Sequence, residues 1–457
     1  MTGTLTLDGI LKATGGKILC GPQRDFSGLS IDSRTIRDGE LFVPLKGANF
    51  DGHDFLYEAL RVGSGALVNN PHVEPVAGKT IISVANTLSS LQSIARYLRL
   101  KAKAPVIGIT GTNGKTTTKE LVSSILGQSH KVLKTYGNLN NHIGLPLCIS
   151  RMDGDETVMV LEMGSNAEGD IKLLCDIARP DFAVVTNVGP AHLEGFGNLE
   201  TVRKTDLEIL EYVKTVALNA DDFFLVDGVR GFVGKIQRYG IESDADVRAA
   251  DIELGDRGSR FTLRFADGRK IRVDLCIAGR FNIYNALAAA SVSEEFGVGL
   301  DDIKRGLESF RGVPMRLEIK EFFGGLVISD VYNANPASME EAIKELIRLK
   351  RDRTIAVLGD MLELGRYAED AHDKLVRRMS ELGIDVFIAV GPEMTKASYG
   401  FSGICHRADD SVSARSLLLS TCRDGDTILV KGSRGMHMEK VLAENGDPVA
   451  QEGESVL

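Results

Sequence analysis

The segment Thr110-Gly111-Thr112-Asn113-Gly114-Lys115-Thr116-Thr117 holds the residue types and spacing best suited to chemistry in this chain. Glycines let backbone N–H groups converge on an anion, and the positive end of a following helix adds to their pull. Lys115 is then placed to reach the β- and γ-phosphates of a nucleotide, and the Thr116 hydroxyl to ligate magnesium. The strict pattern G-x-x-x-x-G-K-[ST] is not met, because Ile109 stands five positions before Gly114 and the earlier glycine is Gly108. The reading is a variant phosphate loop for ATP, formed by Gly111, Thr112, Asn113, Gly114, Lys115, Thr116 and Thr117.

Other polar side chains fall at the ends of apolar runs, where ligands of open α/β sheets gather. Glu162 closes the run 157–161 and, with Thr116 and the phosphates, would make an ordinary oxygen site for magnesium. His192 follows the run 182–186 and reads either as a loop packing residue or as a ligand that holds or orients a second metal. Arg316, after a Gly-Val-Pro-Met turn, could meet transferring phosphate oxygens, and Asp330, at the end of the run 326–330, could hold a ribose. Asn282 reads as a helix N-cap, or as a partner of Asn285 in reading a base edge, since the two lie one turn apart on the same helical face.

The elements that must position these residues fall into three blocks. Residues 1–102 hold short strands and turns, then an amphipathic helix with Leu88, Leu91, Ile94, Ala95 and Leu98 on one stripe, ended by Pro105. From 103 to 313, strands at 106–109, 158–161, 182–186 and 216–218 alternate with helices near 115–127, 168–178 and 199–213, the signature of a parallel sheet. A hairpin at 259–277 turns on Asp267-Gly268, which should supply positive φ angles, and helices near 282–296 and 301–310 follow. From 314 to 457 the alternation returns, with strands at 326–330, 354–358, 386–390 and 427–430 and helices near 338–350, 369–382 and 411–421. The fold class is α/β with three domains: a small α/β N-terminal domain, a central P-loop parallel-sheet ATPase domain and a C-terminal Rossmann-like, doubly wound domain.

The chain has 457 residues, enough for several cores, and its 54 basic against 63 acidic residues disfavour a nucleic-acid partner. It carries neither a secretory leader nor an apolar run long enough to span a membrane, so a cytoplasmic protein is expected. Without G-x-G-x-x-G a dinucleotide is not implied, and without Asn-Lys-x-Asp a regulatory GTPase is not either. A domain on each side of an ATP site suggests two further small-molecule ligands brought to one phosphate. That geometry suits a ligase, in which ATP converts a carboxylate to an acyl phosphate that an amine then attacks, with Lys115, magnesium and Arg316 as counter-charges.

Residues 110–117, Gly137-Asn138-Leu139-Asn140-Asn141-His142-Ile143-Gly144, Glu162-Met163-Gly164, residues 186–195, Asp330-Val331-Tyr332-Asn333-Ala334-Asn335-Pro336, residues 359–365 and Lys431-Gly432-Ser433-Arg434 together resemble the Mur ligases. Asp32-Ser33-Arg34 and residues 51–55 extend the likeness to the N-terminal block. Tyr332-Asn333-Ala334-Asn335-Pro336, standing where another branch has Asp-Asn-Pro-Arg, directs the resemblance to the branch that adds D-alanyl-D-alanine to UDP-N-acetylmuramoyl-tripeptide. It implies ATP and Mg2+ as cofactors and these two small-molecule substrates; a monomer is expected, although nothing in the sequence reads out the oligomeric state. It also implies a UDP-muramoyl-binding first domain and a dipeptide-binding third.

By the same resemblance Glu162 and His192 hold metals, Asn282 and Asn285 face adenine, and Arg316 and Asp330 come from the third domain to the nucleotide. Asn335, Lys431, Ser433 and Arg434 lie toward the dipeptide, while Ser33, Arg34, Asn138, Asn140 and Asn141 face the nucleotide-sugar peptide. Phe281 stands where the family usually has His, and His142 where Glu is common. Asp206 stands where a lysine usually helps hold the second magnesium, so it either supplies that carboxylate itself or is a solvated helix residue. The alternatives are a related ligase such as folylpolyglutamate synthetase, or an ATP-gated binding module that forms no amide.

Overall fold

The computed structural model describes residues 5–47 and 49–443. Among them the apolar runs become buried strands in three sheets of five, nine and six strands. The N-terminal sheet runs in the order Lys17–Cys20, Thr80–Ser83, Gly65–Val68, Glu40–Phe42, Gly28–Ser30. Its last helix, Thr87–Lys101, buries Leu91, Ile94 and Ala95 completely. That helix also docks on the next domain. Arg99 Nε donates to the carbonyl of Ala178 at 2.7 Å, and Nη2 to Asp181 at 2.8 Å, so one buried guanidinium ties the two domains together.

The central sheet is ordered Lys270–Leu275, Ser259–Phe265, Val247–Leu254, Lys235–Gly240, Thr215–Asn219, Phe182–Val185, Val106–Thr110, Val158–Glu162, Val132–Lys134. The chain leaves Val106–Thr110 toward one side and later returns on its other side beside Phe182–Val185, which puts the loop after Thr110 at a topological switch point. The helix that follows, Lys115–Leu126, seats Leu121, Val122, Ile125 and Leu126 in the core.

Several expectations needed adjustment. The hairpin is continuous with the sheet through Val247–Leu254, which pairs parallel on one side and antiparallel on the other. Only Gly268 takes a positive φ, of +89°, in its turn. Asp267 keeps a negative φ and accepts the Arg269 N–H at 3.0 Å. The helix expected over 199–213 is Leu199–Asp206 followed by a 3-10 turn, Leu207–Glu211. Helix Arg280–Glu295 begins ahead of Asn282 and is capped by Gly279, so Asn282 lies within its first turn and is not the N-cap.

The C-terminal sheet runs Glu318–Phe322, Gly325–Asp330, Thr427–Lys431, Thr354–Gly359, Val386–Val390, Ile404–Ala408, and only its first strand is antiparallel. No helix among the described residues is long and apolar enough to cross a membrane.

Candidate active site

Between the central and C-terminal domains lies a cleft of about 1040 Å³, floored by the loop after Thr110. Two glycines let that loop pass close to its neighbours. Gly111 has φ +121°, and a Cβ there would meet Thr186 Oγ1 at 2.3 Å; Gly114 has φ +83°, and a Cβ would meet Asn285 Oδ1 at 2.4 Å. The segment after Phe182–Val185 holds the loop from behind. Thr186 Oγ1 donates to the Asn113 carbonyl at 2.7 Å, Asn187 Oδ1 accepts the Asn113 N–H at 3.0 Å, and Thr112 Oγ1 accepts the Gly189 N–H at 2.8 Å. Sequence reasoning stopped at His192 in this segment and missed Thr186 and Asn187, although both follow the strand end directly.

Lys115 folds over its own loop, donating to the carbonyls of Gly111 at 2.5 Å and Thr112 at 3.2 Å. Desolvation pulls its ammonium pKa down, and the fields of Asp206 and Glu162 oppose that shift. Asp206 is not on a solvated helix face. It is 2% exposed, accepts from Thr110 Oγ1 at 2.9 Å beneath the loop and does not line the cleft. Burial pushes its carboxyl up to about 6 against the pull of Lys115.

Glu162 lines the cleft as a buried carboxylate. Oε1 accepts from Asn140 Nδ2 at 2.8 Å, whereas Oε2 has no hydrogen-bond partner among the described residues and stands 4.0 Å from the buried Lys119 ammonium. Lys119 is itself anchored to the Thr135 carbonyl at 2.8 Å and to Glu120 at 2.9 Å. An oxygen left unpaired in this way, on a carboxylate that lines the same cleft as Thr116, suits a hard divalent cation.

The C-terminal domain reaches the loop at two points. Arg316 Nη2 donates to Thr116 Oγ1 at 3.2 Å, and the amides of Asn335 and Asn113 pair reciprocally at 2.9 and 3.4 Å. Asn335 also caps helix Pro336–Arg348 through Ser338 N at 2.9 Å. A third contact lies at the rim, where His192, in a left-handed conformation, hydrogen-bonds through Nδ1 to the Glu363 carboxylate. His192 holds the carboxyl of Glu363 below its usual range. Asp330, expected at the nucleotide, accepts from buried Lys431 at 2.5 Å, so the two form one pair. Ser433 Oγ accepts the Leu362 N–H at 2.8 Å and steadies the loop bearing Glu363. Arg434 lines the cleft.

Asn282 and Asn285 are buried, and both line the cleft. Asn285 Nδ2 donates to Asn282 Oδ1 at 2.9 Å, and Asn282 Nδ2 to the Ala278 carbonyl at 2.6 Å. Asn141 caps the turn into helix Gly144–Ile149 by accepting from Gly144 N at 2.8 Å, while Asn138 is exposed at the cleft. Ser33 and Arg34 lie outside the cleft, and Arg34 holds Asp32 at 2.8 and 2.9 Å.

Comparison with known proteins gives a consistent answer along the chain. Residues 25–97 match the model of the Mur ligase family catalytic domain, 109–293 the Mur ligase middle domain, and 315–434 the Mur ligase glutamate ligase domain. The UDP-N-acetylmuramoyl-tripeptide--D-alanyl-D-alanine ligase of Escherichia coli is 36% identical, over 97% of this chain and 99% of the relative. The crystal structure of MurF from Acinetobacter baumannii has a TM-score of 0.89 at 31% identity, covering 96% of this chain and 98% of that one. The MurF ligase of Thermotoga maritima in complex with ADP has a TM-score of 0.80 at 32% identity, covering 91% and 96%.

Proposed function

The chain belongs to the Mur ligase family, and we infer that it is the ATP-dependent ligase joining D-alanyl-D-alanine to UDP-N-acetylmuramoyl-tripeptide in peptidoglycan precursor synthesis. The tripeptide carboxylate attacks the γ-phosphorus of ATP and ADP departs, leaving an acyl phosphate. The dipeptide amine then attacks the acyl carbon, phosphate departs and the new amide loses a proton. The observation that carries this reading is the Arg316–Thr116 hydrogen bond, which brings a cation of the third domain onto the phosphate loop of the second.

Each residue then has a physical task. The loop N–H groups from Gly114 to Thr117 bind phosphate oxygens, aided by the N-terminus of helix Lys115–Leu126. Lys115 exchanges its carbonyl partners for the β- and γ-oxygens, and Arg316 stabilises charge on the group in transfer. Magnesium fits the donors Glu162 Oε2 and Thr116 Oγ1, and when bound it would neutralise phosphate charge. His192 orients the rim of this site through Glu363. Asp206 serves the loop from below, through Thr110, and is not assigned as a metal ligand.

We assign UDP-muramoyl binding to residues 1–102, ATP to 103–313 and the dipeptide to 314–457, in a cytoplasmic monomer. Asn138 and Arg434 have the exposure at the cleft to contact substrates, whereas Asn140, Asn335, Lys431 and Ser433 shape the site through the partners described above. Incubation with UDP-tripeptide, D-alanyl-D-alanine and ATP should yield a UDP-pentapeptide by mass spectrometry, and Lys115→Ala should abolish it. Phosphate release without a new amide bond would refute the reading.

A further inference from the structure

Arg316 is held in an unusual way for a cleft arginine. Its guanidinium carbon lies 4.0 Å from the centroid of the Tyr332 ring, and Nη2 donates to Thr116 Oγ1 at 3.2 Å. Among the described residues the buried Nε has no hydrogen-bond partner, and no carboxylate lies within ion-pair distance of the guanidinium. The backbone is held on both sides. Met315 and Leu317 take φ of +66° and +45°, a conformation that side chains with a Cβ rarely adopt. The Met315 carbonyl accepts the Tyr332 N–H at 3.1 Å, and Asp330 accepts the Leu317 N–H at 3.3 Å.

We propose that Tyr332 is a positioning residue for the ligase reaction, fixing the plane of the Arg316 guanidinium by ring stacking so that its N–H donors face the transferring phosphoryl group. The proposal rests on the function inferred above. A carboxylate could also have oriented this arginine, but it would have occupied two donors and cancelled the charge that the phosphoryl group requires. An aromatic face holds one side of the planar cation, uses none of its N–H groups and leaves the full charge available. The unpaired Nε is what such an arrangement leaves behind. Tyr332 acts through its ring, so its hydroxyl is dispensable.

Two readouts test this. The Arg316 Nε–H NMR resonance, identified by its loss in Arg316→Ala, should show the ring-current shift in the wild type and in Tyr332→Phe and lose it in Tyr332→Leu. An unmoved resonance would overturn the stack whether or not the protein forms product, whereas a wild type that forms no amide fails the functional reading alone. With all substrates saturating, Tyr332→Leu should lower kcat roughly five- to thirtyfold, the range that a partly desolvated cation–π contact supports. Tyr332→Phe should restore it, and Tyr332→Leu should cost nothing further in an Arg316→Ala background. An equal loss in both backgrounds, or a Phe variant as poor as Leu, would overturn the proposal. Should the Leu variant fold poorly, a series of fluorinated phenylalanines at 332 keeps the shape while draining the ring. There kcat should fall stepwise with fluorination, and a flat series would refute the role.

Discussion

Substituting Gly114 by alanine should cripple nucleotide binding while leaving the fold in place. The residue has φ +83°, and a methyl group there would stand 2.4 Å from Asn285 Oδ1 and 3.3 Å from its Cγ. Holding a non-glycine residue in that region costs about 1–2 kcal/mol. Asn285 cannot simply turn aside. It is buried, accepts from Thr118 Oγ1 at 3.3 Å and donates to Asn282 at 2.9 Å, so moving it sacrifices two hydrogen bonds worth about 1 kcal/mol each. The native loop is therefore penalised by roughly 3–4 kcal/mol, and the chain escapes by re-forming the loop away from the helix. Because every 1.4 kcal/mol is tenfold, ADP affinity measured by calorimetry in magnesium buffer should fall by about 100-fold or more. Gly154→Ala is the control: φ is +91° but nothing lies within 4 Å, so the backbone penalty falls on an exposed turn and ADP affinity should not change. A folded Gly114→Ala protein that binds ADP within about threefold of wild type would refute the idea that close approach to helix Arg280–Glu295 shapes the anion site.

Two further outcomes follow from the groups around the loop. The Asp206 carboxyl, pushed up to about 6 from 3.8, binds more protons in the native than in the unfolded chain between those values. Stability contributed by that group is thus fully present below the window and falls across it as pH rises, by roughly 3 kcal/mol at most. Hydrogen exchange in strand Val106–Thr110 should show this fall in the wild type but not in Asp206→Asn, and parallel pH profiles for the two proteins would refute it. Asn335→Ala removes an N-cap worth about 1 kcal/mol together with the amide pair to Asn113. Thermal unfolding of the C-terminal domain should come earlier and small-angle scattering should report a more open molecule; unchanged values for both would sink the reading of Asn335 as a clasp.

How much of this was legible in the sequence depended on how local each signal is. The phosphate loop was, because glycine, lysine and threonine between an apolar strand and an amphipathic helix state a backbone geometry directly. The strands at 132–134, 235–240 and 247–254 were not. The first is three residues long, and the others are interrupted by charged and polar residues, so none offers the continuous apolar run that marked the central strands. Among site residues, Lys115, Glu162 and Arg316 followed from their places at strand and loop ends. The tertiary partners of Asn140, Asn335, Lys431 and Ser433 could not be read, since those named above lie between 22 and 222 positions away along the chain. Sequence names the polar groups of a site, but only tertiary structure decides which of them spend their hydrogen bonds on one another.

That distinction decides the electrostatics of the cleft. Lys431 is neutralised by Asp330, and Lys119 by Glu120 and Glu162, so neither adds net positive charge where a triphosphate would lie. Lys115 is different, because its partners are the carbonyls of Gly111 and Thr112, which orient the ammonium without cancelling it. Arg316 is different in the same sense, with a ring and a hydroxyl in place of a carboxylate. The charge that reaches the loop without a directly bonded carboxylate therefore comes from one cation of each of two domains, Lys115 and Arg316. Under the proposed function the loop N–H groups and Lys115 bind the nucleotide, and Arg316 completes the charge around the group in transfer where the C-terminal domain meets the loop. Under the proposed function, in which the C-terminal domain also binds the dipeptide, phosphoryl transfer is tied to the same contact between domains that brings the acceptor amine.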